Sequence, residues 1–403
     1  MKFSKVFILS FFIICFSFSS FTQNLQKGNW KGTLFLKEDV FLPINMSVDT
    51  NNTLNIHNGK EKITLRLTKI INDSLFYHFY EFNTYLVLNV LNNGKISGLW
   101  VNNNRSFSNK IPFFAHYNNE KNKSTFKSDI KLNNRWKVKF SYDKLSAYPA
   151  IGVFNQNEDN SISGTFMTET GDYRFLEGKI EKNKLTLSCF DGAHAFLFEA
   201  NYKNDSLKGV FYSGSHWQTK WYGVPDDTFN LKNPDSITFL MNDKKISFNK
   251  PKLDQSILKY PSKDLENKVV IIQIFGSWCP NCMDETLFFN DLYKKYNNQG
   301  LEIIAIGYET SSELKEQINR LQAYKDKLNI NYTLLVGGKA NKTIASEDFP
   351  MLNNISSFPT SIFINKKGEV IKIHTGFNGP GTDDIYTDYV EKTSVFIEQL
   401  LSE

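Results

Sequence analysis

From residue 27 to about residue 233, short apolar runs alternate with clusters of Asn, Asp and Gly. That period-two pattern predicts β-strands joined by tight turns. Asn58-Gly59 and Asn93-Gly94 are hairpin signals, since the two-residue turns that match strand twist need positive φ. Four predicted strands carry a glycine between apolar positions: Trp30-Lys31-Gly32-Thr33-Leu34, Ile96-Ser97-Gly98-Leu99-Trp100, Ile162-Ser163-Gly164-Thr165-Phe166 and Leu207-Lys208-Gly209-Val210-Phe211. Glycine inside a strand marks a bend, a bulge or a close backbone approach, which suits a curved sheet or barrel wall. The Asn/Lys-rich stretch 117–134 divides this half into two similar units, 27–116 and 135–224. They read as two small barrels or sandwiches, or as one large curved assembly. Coincidence within a β-rich chain is the competing account of the repeat.

The pattern changes near residue 235. A hairpin-like stretch at 237–249 comes first, and then strand and helix signals alternate. Val269 to Phe275 is a near-continuous apolar run, as in a buried parallel strand. Residues 280–297 have helical spacing, with Leu287, Phe288, Leu292 and Tyr296 assigned to one face. A strand from Leu301 to Tyr308, a charged helix over 311–328 and a strand from Tyr332 to Val336 follow. Ser361 to Ile364 and Val370 to Ile373 flank a Lys366-Lys367-Gly368 turn, and a last helix covers about 383–401. The predicted architecture is α+β and multidomain: a β-rich unit over 23–116, a second over 135–233, both barrel- or sandwich-like, and a mixed unit over 236–403.

Composition narrows the classes. At 403 residues with 41% hydrophobic and 22% charged positions, the chain can bury a core in each unit. Its net charge of +5 is spread without a basic block, which argues against a nucleic-acid partner. Four cysteines are too few for a disulfide-stapled scaffold. Residues 1–22 read as a secretory leader: Lys2 and Lys5 precede the apolar run Val6 to Phe18, and Ser20 and Thr22 suit cleavage before Gln23. The competing reading is an uncleaved anchor. Ile14 stands before Cys15 where a lipidation signal wants a small residue, so no lipid anchor is expected. The expected location is periplasmic or secreted, where thiols meet oxidants.

The candidate chemistry lies in Trp278-Cys279-Pro280-Asn281-Cys282, between the buried strand and the helix. A helix N-terminus presents unpaired N–H groups and the positive end of the helix dipole. A thiolate at Cys279 is stabilised there, and pairs of this type reach pKa values of roughly 3.5–7.5. The two-residue spacing lets Cys282 attack a mixed disulfide formed at Cys279 and release its partner. Pro280 suits the first helical turn, where its missing N–H is not needed, and Trp278 shields the pair. Half of a zinc site is one alternative, but no second cysteine pair completes it. An inert structural disulfide is another, although so small a loop constrains little of the unfolded chain. No metal is expected, and no cofactor beyond a redox-active Cys279–Cys282 disulfide.

These residues resemble the thioredoxin superfamily over about 236–403, and most closely the TlpA-like periplasmic thiol-disulfide reductases grouped with redoxin and AhpC/TSA domains. The match rests on the strand leading into the Cys-Pro-Asn-Cys pair, on Glu285 three residues past the second cysteine, and on Phe358-Pro359-Thr360-Ser361-Ile362-Phe363-Ile364-Asn365-Lys366-Lys367-Gly368. The resemblance implies a thioredoxin fold, a cis Phe358–Pro359 bond facing the cysteines, and Pro359 as a substrate-docking residue. It implies reduction of disulfides in envelope proteins, fed by a membrane electron donor. Cys279, Cys282 and Glu285 are then the catalytic candidates, with Trp278, Pro280, Asn281, Phe358 and Pro359 as the substrate-binding surface. Where many thioredoxins bury an Asp, this chain has Gln273, which leaves Glu285 as the candidate carboxylate for deprotonating Cys282. An ordinary carboxylate near a helix N-terminus is the competing account of Glu285. Leu287 replaces a proline common in the family and lets the helix run straight. The stretch Gly164 to Arg174 resembles β-rich extensions on similar proteins of the Bacteroidetes, and that likeness implies no activity.

Two other classes of function compete. A thiol peroxidase sets its cysteine in a Pro-x-x-x-Thr/Ser-x-x-Cys pattern, and counting back from Cys279 the stretch Gln273 to Trp278 has neither that Pro nor that Thr. A non-enzymatic binding module would place the function in the β half, with a protein or glycan as partner and Trp217 and Trp221 on a concave aromatic face. Cys189, Asp191, His194, His216 and Asp172 fall on neighbouring turns there, in a spacing that fits turn residues and a buried thiol better than a metal site. No motif residue precedes Trp278, so residues 236–403 are expected to fold and react alone.

Overall fold

A computed structural model describes residues 24–91, 94–118, 129–241 and 245–403. The leader, Cys15 and Asn93 lie outside the described residues. In the β half, side chains alternate in and out along each strand, as on Ser74–Phe79, where Leu75, Tyr77 and Phe79 are buried. Nine antiparallel strands form a first sheet between Gly28 and Tyr117. Its two outermost strands, Glu61–Leu65 and Leu67–Ile71, are separated in the chain by Arg66 alone, so the sheet curls until its ends meet. The second sheet, between Arg135 and Pro225, closes completely: Tyr148–Gln156 pairs with Arg135–Phe140 on one side and with Ser161–Thr168 on the other. The strand glycines permit the tight coiling. A Cβ at Gly98 would lie 2.1 Å from the Val87 carbonyl oxygen, and one at Gly209 would lie 1.7 Å from that of Glu199.

The C-terminal unit is a five-stranded sheet in the order Thr333–Lys339, Leu301–Glu309, Val269–Phe275, Thr360–Ile364, Val370–Thr375. The first three strands are parallel and the last two antiparallel. All seven residues of Val269–Phe275 are buried, because helices cover both faces. This is the thioredoxin-type order expected from the sequence. Three details differ. The hairpin expected over 237–249 forms downstream from Phe248–Pro251 and Ile257–Tyr260, around a turn in which Asp254 Oδ1 accepts from Ser256. A short helix, Lys342–Asp348, was not anticipated. On Pro280–Tyr296 the buried face uses Phe289, and Leu287 is exposed, since Leu287 lies about 200° around the helix from the buried Phe289.

The three sheets interlock. Phe190 of the second barrel inserts into the core of the first, edge-on to Phe79 and Trp100. Asn58 exchanges two 3.0 Å hydrogen bonds with the Phe190 backbone. Arg320, on helix Leu314–Leu328, donates to the carbonyl oxygens of Tyr80 and Glu81 in the first barrel. At the centre lies Arg174, with 3% of its side chain exposed. It pairs with Glu61 of the first barrel at 3.0 Å, with Asp191 of the second at 3.4 Å, and with Asp284 on helix Pro280–Tyr296. Burial, opposed by the guanidinium, holds Asp284 at a pKa of about 7.

Removing one member of such a cluster leaves buried charges uncompensated. Arg174→Met is therefore expected to lower unfolding stability by about 3–5 kcal/mol at pH 7. The loss should be smaller at pH 5, where the stranded carboxyls take up protons. Urea denaturation at both pH values measures this, and an unchanged midpoint at pH 7 contradicts it.

Candidate functional site

The Cys-Pro-Asn-Cys stretch turns from the fully buried strand Val269–Phe275 into helix Pro280–Tyr296. Cys279 is the residue that caps the helix. Its Sγ accepts the Cys282 N–H at 3.2 Å, and the two cysteines are joined by a disulfide. Cys279 is 8% exposed and Cys282 fully buried. An anion released at Cys279 on reduction therefore meets an N–H group at the positive end of the helix dipole. The loop before it is held from behind by Glu309, whose carboxylate accepts from Ser277 N and Oγ at 2.9 and 2.8 Å. Trp278 donates from Nε1 to the Tyr308 carbonyl at 2.9 Å and meets Phe358 edge-on. The sequence reading missed Glu309, because only the parallel register brings the end of strand Leu301–Glu309 beside this loop.

The bond between Phe358 and Pro359 is cis, as the family resemblance implied. Cys279 Sγ lies 3.6 Å from the Phe358 carbonyl oxygen, so this loop sits against the disulfide. Glu285 is fully buried, in contrast to an ordinary surface carboxylate of a first helical turn. Gln273 Nε2 and Ser361 Oγ each donate to it at 2.9 Å, and Thr286 Oγ1 donates to Gln273 Oε1 at 3.2 Å. Burial pushes Glu285 up to about 8, against the opposite pull of those two donors. Gln273 thus takes the place of the missing Asp as an amide that orients Glu285.

The site draws on more than residues 236–403. Gly171-Asp172, a short strand of the second barrel, packs against the helix start. Asn281 Nδ2 donates to the Asp172 backbone oxygen at 3.2 Å, to Asp172 Oδ2 at 3.3 Å and to the Phe377 carbonyl at 3.0 Å. Ser357 Oγ donates to the Thr170 carbonyl at 3.2 Å. The barrel thus touches both the cysteine loop and the segment before Pro359, which no motif signalled. The polar cluster proposed in the β half is dispersed. Asp172 faces Asn281, Asp191 binds Arg174 and His194, and His216 binds Arg105. Cys189 is a buried core thiol pushed well up by burial. Trp221 is buried in the barrel core, and only Trp217 reaches the surface.

Comparison with known proteins places residues 242–389 in a match to the Redoxin family model. The thiol-disulfide oxidoreductase ResA of Halalkalibacterium halodurans is 31% identical over 114 residues, or 28% of this chain and 57% of that protein. ResA of Bacillus thuringiensis subsp. konkukian is 31% identical over 135 residues, or 33% of this chain and 68% of the relative. The chain thus spans just over half the length of the first of these relatives and two thirds of the second. Among solved structures, a putative protein disulfide isomerase from Bacteroides thetaiotaomicron is 19% identical, with a TM-score of 0.31, covering 41% of this chain and 93% of that one.

The buried Glu285 links stability to pH. Its native pKa of about 8 stands above its ordinary 4.5, so the native state holds this proton more tightly than the unfolded chain. Its contribution does not oppose folding below pH 4.5, declines as pH rises, and is fully unfavourable above pH 8. Between pH 5 and pH 9 the wild type should lose stability relative to Glu285→Gln, by on the order of a few kcal/mol. Urea unfolding of both proteins across this range measures the difference, and parallel profiles contradict it.

Proposed function

Because its C-terminal part belongs to the redoxin family of thiol-disulfide oxidoreductases, we propose that this chain reduces disulfides of partner proteins in an extracytoplasmic compartment, with Cys279 as nucleophile and Cys282 as resolving thiol. The observation that carries this reading is the Cys279 sulfur at the helix N-terminus, accepting the Cys282 N–H. In the reduced enzyme the Cys279 thiolate attacks one sulfur of the substrate disulfide. That S–S bond breaks, the departing thiolate takes a proton, and a mixed disulfide forms. Cys282 then loses its proton and attacks Cys279 Sγ. The Cys279–Cys282 bond forms, and the second substrate thiolate leaves and is protonated. Two electrons pass from the dithiol to the substrate, and an external dithiol donor at the membrane restores the pair.

Glu285, one helical turn beyond Cys282, is the proposed proton exchanger. Its pKa of about 8 lies close to the usual thiol value of about 8.5, so proton transfer between them is nearly isoenergetic. Phe358 and Trp278, partly exposed beside the cysteines, are the proposed docking surface, with the buried Pro280 and Pro359 and the barrel-bonded Asn281 shaping it from behind. The leader-like residues 1–22 support the extracytoplasmic location.

Cys279→Ser should abolish disulfide exchange, and Cys282→Ser should trap mixed disulfides with partners, visible on non-reducing gels. Full insulin reduction by Cys279→Ser overturns the assignment. The reduction potential tests direction, since a value near about −270 mV marks a reductant and one near about −120 mV an oxidant.

A further inference from the structure

A cleft of about 480 Å³ opens where the two barrels meet the redoxin unit, on one side of Trp278. That volume is within the range of roughly 300–1,000 Å³ occupied by small-ligand sites, enough for a few side chains. Its walls come from all three units. Asn104 and Arg105 belong to the first barrel, Tyr173, Phe211 and Trp217 to the second, and Trp278 and Thr310 to the redoxin unit. Trp217 is 37% exposed and stands edge-on to Phe211. The aromatic surface faces an open space and is not consumed by packing alone.

The polar lining has one sign. Arg105 donates to His216 Nδ1 at 2.8 Å, and its guanidinium lies over the Trp100 ring at 6.0 Å. His216 is pushed down to about 4 by burial and then by Arg105, so it is neutral near pH 7 and leaves the arginine charge uncancelled. Among the described residues no carboxylate pairs with Arg105, and no Asp or Glu lines the cleft. Gly214, at φ +55°, turns the chain beside this pair, and a Cβ there would lie 3.1 Å from both Arg105 and His216. A partly desolvated cation with a neutral acceptor beside it is a site for an anion.

We propose that this cleft binds the chain flanking the disulfide of a protein substrate, by an acidic residue next to an aromatic one: the carboxylate on Arg105 and the ring among Tyr173, Trp217 and Trp278. The occupant is a peptide because Trp278 is the residue before Cys279. A chain whose disulfide meets Cys279 continues across Trp278 into the cleft. The proposal rests on the disulfide-exchange reading and adds a substrate preference to it.

The test uses the full chain and two synthetic disulfide peptides that differ only in a Glu-Phe or a Lys-Phe pair beside the cysteine. Serine analogues of both serve for redox-inert binding by calorimetry. The native protein should favour the Glu-Phe disulfide in kcat/KM by about tenfold or more, and its serine analogue should bind with the same preference. Arg105→Gln should bring the ratio of the two peptides near parity, and Arg105→Lys should restore part of it, with thermal melting checking the fold of each. No preference in the native protein, or a preference untouched by Arg105→Gln, overturns the proposal. So does phenylpropionate binding as tightly as the Glu-Phe peptide, since the cleft would then serve a free aromatic acid. Selective binding of the serine analogue by a protein that reduces no disulfide would uphold the cleft and remove the disulfide-exchange reading.

Discussion

A guanidinium shut away from water is tolerable only where carboxylates surround it, and Arg174 draws its carboxylates from three places. Glu61 comes from the first barrel, Asp191 from the second, and Asp284 from the helix that begins with the cysteine pair. Asp284 and Asp191 are buried against the arginine, Asp191 with His194 as a second partner, and Glu61 is partly buried beside it. The cluster fixes how far the second barrel stands from the helix, and hence where Asp172 meets Asn281. The geometry of the surface around Cys279 is therefore set partly by a residue outside the redoxin unit. Arg174 itself sits at φ +65°, in a turn where its N–H bonds to Asp172 Oδ1 at 2.6 Å.

Within one helix, two acidic groups are held in opposite ways. At its start, the cap position and the dipole favour charge on Cys279. Two turns along, burial beside Gln273 and Ser361 disfavours charge on Glu285. A group that readily carries negative charge and a group that retains its proton are the pair that thiol chemistry near neutral pH requires. The same helix supplies both because its first turn faces the loop at the sheet's end while its next turns are pressed onto the sheet.

Much of this was legible in the chain. Strand alternation in the β half, the buried run Val269–Phe275 and the cysteine spacing each follow from local pattern, and the structure reproduces them. Of the four strand glycines, read as bends, bulges or close backbone approaches, Gly98, Gly164 and Gly209 lie against a neighbouring strand's carbonyl, whereas Gly32 meets only the side chains of Met46 and Phe113. What was not legible depends on long-range placement. Arg174 and Asp284 are 110 residues apart, and nothing near either one signals the other. Trp217 and Trp221 looked equivalent, and they lie four residues apart on one strand, yet Trp217 at the strand's first position lines the cleft while Trp221 is buried in the core. The hairpin at Phe248–Pro251 was misplaced because its Asp254 turn lacks a glycine.

The closure of the second barrel has a further consequence. Each of its eight long strands is hydrogen-bonded on both sides, so it offers no row of free backbone groups along an edge. A partner cannot extend that sheet by adding a strand of its own, the mode of recognition that reads backbone and tolerates many sequences. What the barrel leaves open to a partner is the side chains and short loops at its rim, as at Thr170 and Asp172. Recognition through side chains discriminates among partners, and single substitutions in this chain or in the partner can redirect it.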